Sequence, residues 1–145
     1  MMPMKSKIPT DDLFLMLESE TDLVNNWENI SEHMDAGQFN EYLAGLISDR
    51  NITTREFIIK TLLSRSFTYQ ILSGDRIPSR NILLRIAVSI GMSVDETQRM
   101  LKLADRGALY PKVKRDAAII YALSNKYSLY ETDELLVSLG QESLL

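Results

Sequence analysis

Two short helical segments, residues 53–62 and 64–73, follow one another with almost no linker between them. A junction that tight sets two helices at a steep angle rather than antiparallel, which is the geometry of a helix-turn-helix. Each segment carries its own start signal. Thr53 with Glu56 three residues later forms a capping box, and Phe57, Ile58 and Leu62 supply the buried side of that helix. Ser64 caps the second, with Phe67, Thr68, Ile71 and Leu72 facing inward or sideways and Gly74 able to adopt the left-handed conformation that ends a helix.

The rest of the chain has the same periodicity, and no stretch alternates apolar and polar residues as a strand does, so the class is all-α. Upstream, Thr10 caps a short segment with Leu13, Phe14 and Leu17. Leu23, Trp27 and Ile30 make a second face with Trp27 read as core, and Asp35-Ala36-Gly37 reads as a stop. Phe39, Tyr42, Leu43, Leu46 and Ile47 form the one-sided stripe of a packed helix. Pro78-Ser79 opens a further helix with Ile82, Leu83, Ile86, Ala87 and Ile90 inward, and Ser93 with Glu96 opens another. After a loop at 105–112 the pattern predicts a helix over about 113–125. Ser128 with Glu131 then caps a last one, whose apolar side is Leu129, Leu135, Leu136 and Leu139. This divides the chain into an acidic N-terminal helical extension (1–38), a five-helix unit carrying the helix-turn-helix (39–105) and a C-terminal helical pair (106–145).

Composition narrows the functional classes. Zero cysteines remove thiol catalysis, disulfide scaffolds and the common zinc fingers, and a single histidine gives no basis for a Ser-His-Asp triad or a His-rich metal site. No Gly-rich phosphate loop or metal-ligand spacing occurs, so the expectation is a non-enzyme with no metal and no cofactor. The longest apolar run, Ala117 to Leu123, falls far short of the ~20 residues of a membrane helix, and a cytoplasmic protein is expected. Net charge is −4 overall, but residues 1–38 carry −6, residues 39–91 carry +3 and residues 92–145 carry −1. A basic middle between acidic ends permits one positive face on an acidic protein.

In a helix-turn-helix the second helix can enter the major groove, which is just wide enough to admit it. Its outward positions here are Arg65, Ser66, Tyr69 and Gln70, with Ser73 at the rim. Arginine offers a bidentate fork to guanine, glutamine does the same for adenine, and serine serves either base.

Residues 52–93 resemble the Cro and lambda-repressor superfamily, the Xre-type regulators. The resemblance is carried by Ile52-Thr53 with Glu56, by Leu63-Ser64, by Ile71 to Gly74, by Gly74-Asp75-Arg76-Ile77-Pro78-Ser79 and by Leu83 with Ile86-Ala87. The stretch from Leu109-Tyr110-Pro111 through Arg115-Asp116 and the tail to Leu145 is similar to a Gram-positive bacterial branch of these regulators. Three positions depart from the motif: Thr54 stands where many relatives have glutamine, Ile58 where a small residue is usual, and Leu62 at the turn glycine.

The resemblance implies a lambda-repressor-like five-helix domain binding double-stranded DNA as a homodimer, on half-sites about one helical turn apart, and regulating transcription by occlusion or recruitment at a promoter. It implies base contacts from Arg65, Ser66 and Gln70, joined by Tyr69, and backbone contacts from Thr54, Ser73, Arg76 and Arg80. Arg76 and Arg80 are equally suited to pairing with carboxylates. Self-association is expected from the N-terminal extension or the C-terminal pair, whose apolar faces exceed what five helices need. The alternative is an adaptor or antitoxin-like module that keeps the helix-turn-helix as scaffold and binds a protein partner through its acidic surface.

Overall fold

The computed structural model describes residues 20–25, 27 and 36–145, and every regular element among them is an α-helix. In chain order these are α1 (Glu20–Asn25), α2 (Ala36–Asp49), α3 (Thr54–Thr61), α4 (Arg65–Ser73), α5 (Arg80–Ser89), α6 (Val94–Leu103), α7 (Lys114–Ser124) and α8 (Leu129–Ser138). The helix expected after Thr10, together with Ile30 and His33, lies outside the described residues.

Local chemistry sets most helix starts. Thr53, Ser64, Ser79, Ser93 and Ser128 each stand in extended backbone, and each side chain accepts from the amide three residues on. At Thr53, Ser93 and Ser128 the glutamate three residues later completes the reciprocal bond, so the capping boxes are present as expected. Such a cap contributes about 1 kcal/mol, which matters for helices of only eight to ten residues. Lys114–Ser124 alone in this series starts without a side-chain cap, after Val113. Asp35-Ala36-Gly37 is not a stop, because α2 already includes Ala36 and Gly37.

α5 is the central helix. It touches α3, α6, α7 and α8, and α2 packs on α4 and α6. Of the stripe read from sequence, Leu83, Ile86, Ala87 and Ile90 are buried and Ile82 is half-buried, and Leu84 and Val88 on its other side are buried too. That second side is covered because α7 and α8 lie on it. Ala118, Ile119, Leu123, Leu129, Leu136 and Leu144 therefore join Phe39, Leu43, Phe57 and Ile71 in one apolar cluster. These apolar residues of the C-terminal pair are thus covered within the chain, while Tyr121, Tyr130, Val137, Leu139 and Leu145 stay exposed. Some expected core positions are on the surface instead: Trp27 is 55% exposed, Leu62 47% and Leu139 55%.

Glu96 shows how caps also tie helices together. Its carboxylate accepts the Ser93 amide at 2.9 Å and the Arg50 guanidinium at 2.7 Å. Burial pulls this carboxyl upward, but the Ser93 amide and Arg50 outweigh it and leave it below its ordinary value. A carboxylate depressed on folding contributes stability that is present above its unfolded pKa of ~4.3 and is lost as pH falls through the lower folded value. We expect Glu96→Gln to flatten the loss of stability in that acid window, read as the urea midpoint against pH. An unchanged profile would show that the pair contributes nothing.

Candidate nucleic-acid interface

The turn between α3 and α4 is built by three residues. Thr61 ends α3 fully buried, its hydroxyl donating to Phe57 O at 2.8 Å, and Ser64 opens α4. Between them Leu62 adopts the left-handed conformation, φ +58°, with its amide donating to Ile58 O. The backbone therefore has the glycine-type geometry although the residue is leucine, whose Cβ is disfavoured there. Leu62→Gly is expected to raise stability by about 0.5–1 kcal/mol, the relief of backbone strain exceeding the loss of a half-exposed side chain. A lower melting temperature for the variant would contradict this.

The carbonyls this turn leaves open are held from α5. Arg85 Nε donates to Thr61 O at 2.6 Å and its Nη2 to Leu62 O at 2.8 Å. Burial lowers the Arg85 guanidinium from its ordinary value, yet arginine stays charged at neutral pH. The other end of α4 is tied to α2. There Asn40 Nδ2 donates to Leu72 O at 3.2 Å, and a Cβ on Gly74 (φ +85°) would meet the Asn40 amide at 3.1 Å. Glycine at 74 thus serves both the left-handed cap and a close approach. Neither Arg85 nor Asn40 was singled out by sequence; the available signal for Arg85 is a lone charge inside the apolar run from Ile82 to Val88.

Held in this way, α4 buries Thr68 and Ile71 and turns the opposite side outward. Arg65, Ser66 and Tyr69 are exposed and Gln70 half-buried, at i, i+1, i+4 and i+5 on one side of the helix. None of these four side chains bonds to another described residue. Thr54 is half-buried in the first turn of α3. The Ser73 hydroxyl is used locally, donating to Gln70 O at 3.2 Å and accepting from the Asp75 amide. Arg76 is exposed, its guanidinium 5.1 Å from the centre of the Phe67 ring.

Arg80 is placed differently from the expectation. Its Nη1 and Nη2 grip Asp116 at 3.1 and 2.8 Å, and Nε and Nη2 donate to the carbonyls of Gly107 and Ala108. That guanidinium is turned inward and committed, the carboxylate pairing named above for this residue. Arg106 binds the carbonyls of Ile77 and Pro78, and Arg115 those of Glu142 and Ser143. Of the nine arginines in the chain, Arg55 and Arg65 alone make no hydrogen bond, ion pair or ring contact with another described residue. Both lie in the α3–α4 segment. Residues 53–76 hold Arg55, Lys60, Arg65 and Arg76 against two carboxylates, Glu56 and Asp75, and Glu56 is occupied by its cap.

Among the described residues there is no group of three or more His, Cys, Asp or Glu able to hold a metal ion, and no helix long and apolar enough to cross a membrane. Comparison with family models, curated proteins and solved structures finds no match to any of them.

Proposed function

We propose that this chain is a sequence-specific, double-stranded-DNA-binding transcriptional regulator of the Xre type. In this reading residues 39–105 form a lambda-repressor-like domain whose helix α4 lies in the major groove. One observation carries it: α4 presents Arg65, Ser66, Tyr69 and Gln70 outward with side chains that bond to no other described residue, while most other guanidiniums of the chain are spent inside it. Arg65 and Gln70 read base edges, and Tyr69 offers an apolar ring edge to a thymine methyl. Arg55, Thr54 and Arg76 meet phosphates, which position the helix without specifying sequence. Arg80 is left out of that set because its donors are occupied.

The reading includes a homodimer, since a single α4 covers only a few base pairs and paired half-sites ~34–36 Å apart multiply the specificity. Val24 at 68% and Trp27 at 55% exposure give the N-terminal extension apolar surface for that contact. A cytoplasmic location follows from the same reading.

The test is selection of bound sites from a random duplex library, followed by titration of the best site at several salt concentrations. A two-fold-related motif and an affinity falling steeply with salt are expected. Arg65→Ala should relax one base position by about 1–3 kcal/mol, whereas Arg55→Ala should weaken all sequences alike and lower the salt slope by about 1. Absence of salt-dependent duplex binding, or an Arg65→Ala protein that selects the wild-type motif unchanged, would overturn the reading.

A further inference from the structure

The last helix and the residues flanking it show the opposite chemistry from the helix-turn-helix. Residues 117–145 contain four carboxylates, Glu131, Asp133, Glu134 and Glu142, against a single cation, Lys126, and that cation already donates to Gly91 O at 3.0 Å. Asp133 is also used inward, accepting from the Ser143 hydroxyl and the Leu144 amide. On the outer side of α8, Tyr130 (64% exposed), Glu134 and Val137 (61%) follow at i, i+4 and i+7, a continuous row along the helix. Beside this row runs an open groove of about 400 Å³ lined by Tyr127, Glu131, Glu134, Leu135 and Ser138. Its aromatic wall is stiffened by the Tyr121 ring, set edge-on to Tyr127 at 5.6 Å.

Packing within the chain does not require this face to be apolar, because α8 already buries Leu129, Thr132 and Leu136 on its inner side. An exposed row of tyrosine and valine carrying Glu134, which bonds to no other described residue, and edged by the cap glutamate Glu131 suits an apolar ridge edged with cations. A lysine or arginine entering the groove would meet the Tyr127 ring and the Glu134 carboxylate together, a combination of charge pairing and cation–π attraction. A second copy of this chain fits poorly. A two-fold pairing through the row would bring Glu134 against Glu134 with Glu131 on either side, like charges meeting as the surface is desolvated. Nucleic acid and anionic lipid are disfavoured by the same charge.

We infer that the outer face of α8 is a docking site for a basic amphipathic helix of a protein partner, which lays its apolar side on Tyr130 and Val137 and its cations into the groove at Glu131 and Glu134. This assignment is independent of the DNA reading. The test uses the full chain and a fluorescent synthetic amphipathic peptide of about 18 residues, with leucine on one face and lysine on the other and long enough to span α8. The same peptide with glutamate in place of lysine is the control. Anisotropy should show saturable binding of the lysine peptide, weakened at least about tenfold by Glu134→Lys and similarly by Val137→Ser, with both variants melting as wild type, and no binding of the glutamate peptide. Binding that is unaltered by both substitutions, or equal for the two peptides, would overturn the proposal. So would wild-type self-association in sedimentation that Val137→Ser abolishes, since a second copy would then own the face.

Discussion

Asp116→Ala is expected to lower the unfolding free energy by about 3–5 kcal/mol, a large share of the ~5–15 kcal/mol available to a domain of this size. The Asp116 side chain is 5% exposed and accepts three bonds, two from Arg80 and one from the Tyr110 amide at 3.0 Å. Removing it strands a partly buried guanidinium and an amide at once, and the cost is that of unpaired polar groups rather than the net value of the ion pair. Arg80→Ala should be costly for the converse reason, leaving a carboxylate in the interior. The double variant should lose less than the sum of the two, which equilibrium urea unfolding of all four proteins measures. A loss below about 1 kcal/mol for Asp116→Ala would mean that the clamp is dispensable. With its donors committed to this clamp, Arg80→Ala is expected to report lost stability in a DNA-binding assay, not a lost phosphate contact.

Arg85→Met is expected to cost about 2–4 kcal/mol, because methionine keeps the apolar stem while withdrawing charged donors from Thr61 O and Leu62 O. The loss should be concentrated at the α3–α4 turn. Hydrogen exchange at the amides of Leu62 and Leu63 should speed up more than exchange in α6, where Arg85 makes no contact by hydrogen bond. If α4 reads DNA, affinity should fall together with specificity although Arg85 faces the turn and not the groove. A variant with wild-type urea midpoint and wild-type exchange at the turn would show that the junction holds its angle unaided.

The legible part of this fold is the part decided within four residues. Thr53, Ser64, Ser79, Ser93 and Ser128 cap helices because a short side chain in extended backbone meets an amide three residues on, a geometry needing nothing distant. Gly74, Gly91 and Gly140 stand at positive φ for a similarly local reason, and of the stripe from Phe39 to Ile47 all but the half-buried Tyr42 are buried as its spacing implies. Residue type also marked Arg65 and Gln70 as chemically fit for base edges. The illegible part concerns partners many residues away. Arg80 and Arg65 are both arginines in the first turn of a helix after a serine cap, and no local feature separates them. Trp27 and Leu139 have apolar spacing yet lie at the surface, because whether a face is covered depends on which helix arrives to cover it.

By itself the sequence determined the helical class, the helix starts, the tight α3–α4 junction and the absence of cysteine chemistry. These depend on backbone propensity, capping and composition, which act at short range or not through space at all. Only the tertiary structure decided that α7 and α8 close over the second side of α5, that Arg85 locks the turn, and that Arg80 is taken inward by Asp116 while Arg55 and Arg65 bond to no other described residue. Those outcomes rest on contacts between residues more than twenty positions apart, where competition among many possible partners is resolved by how the helices pack.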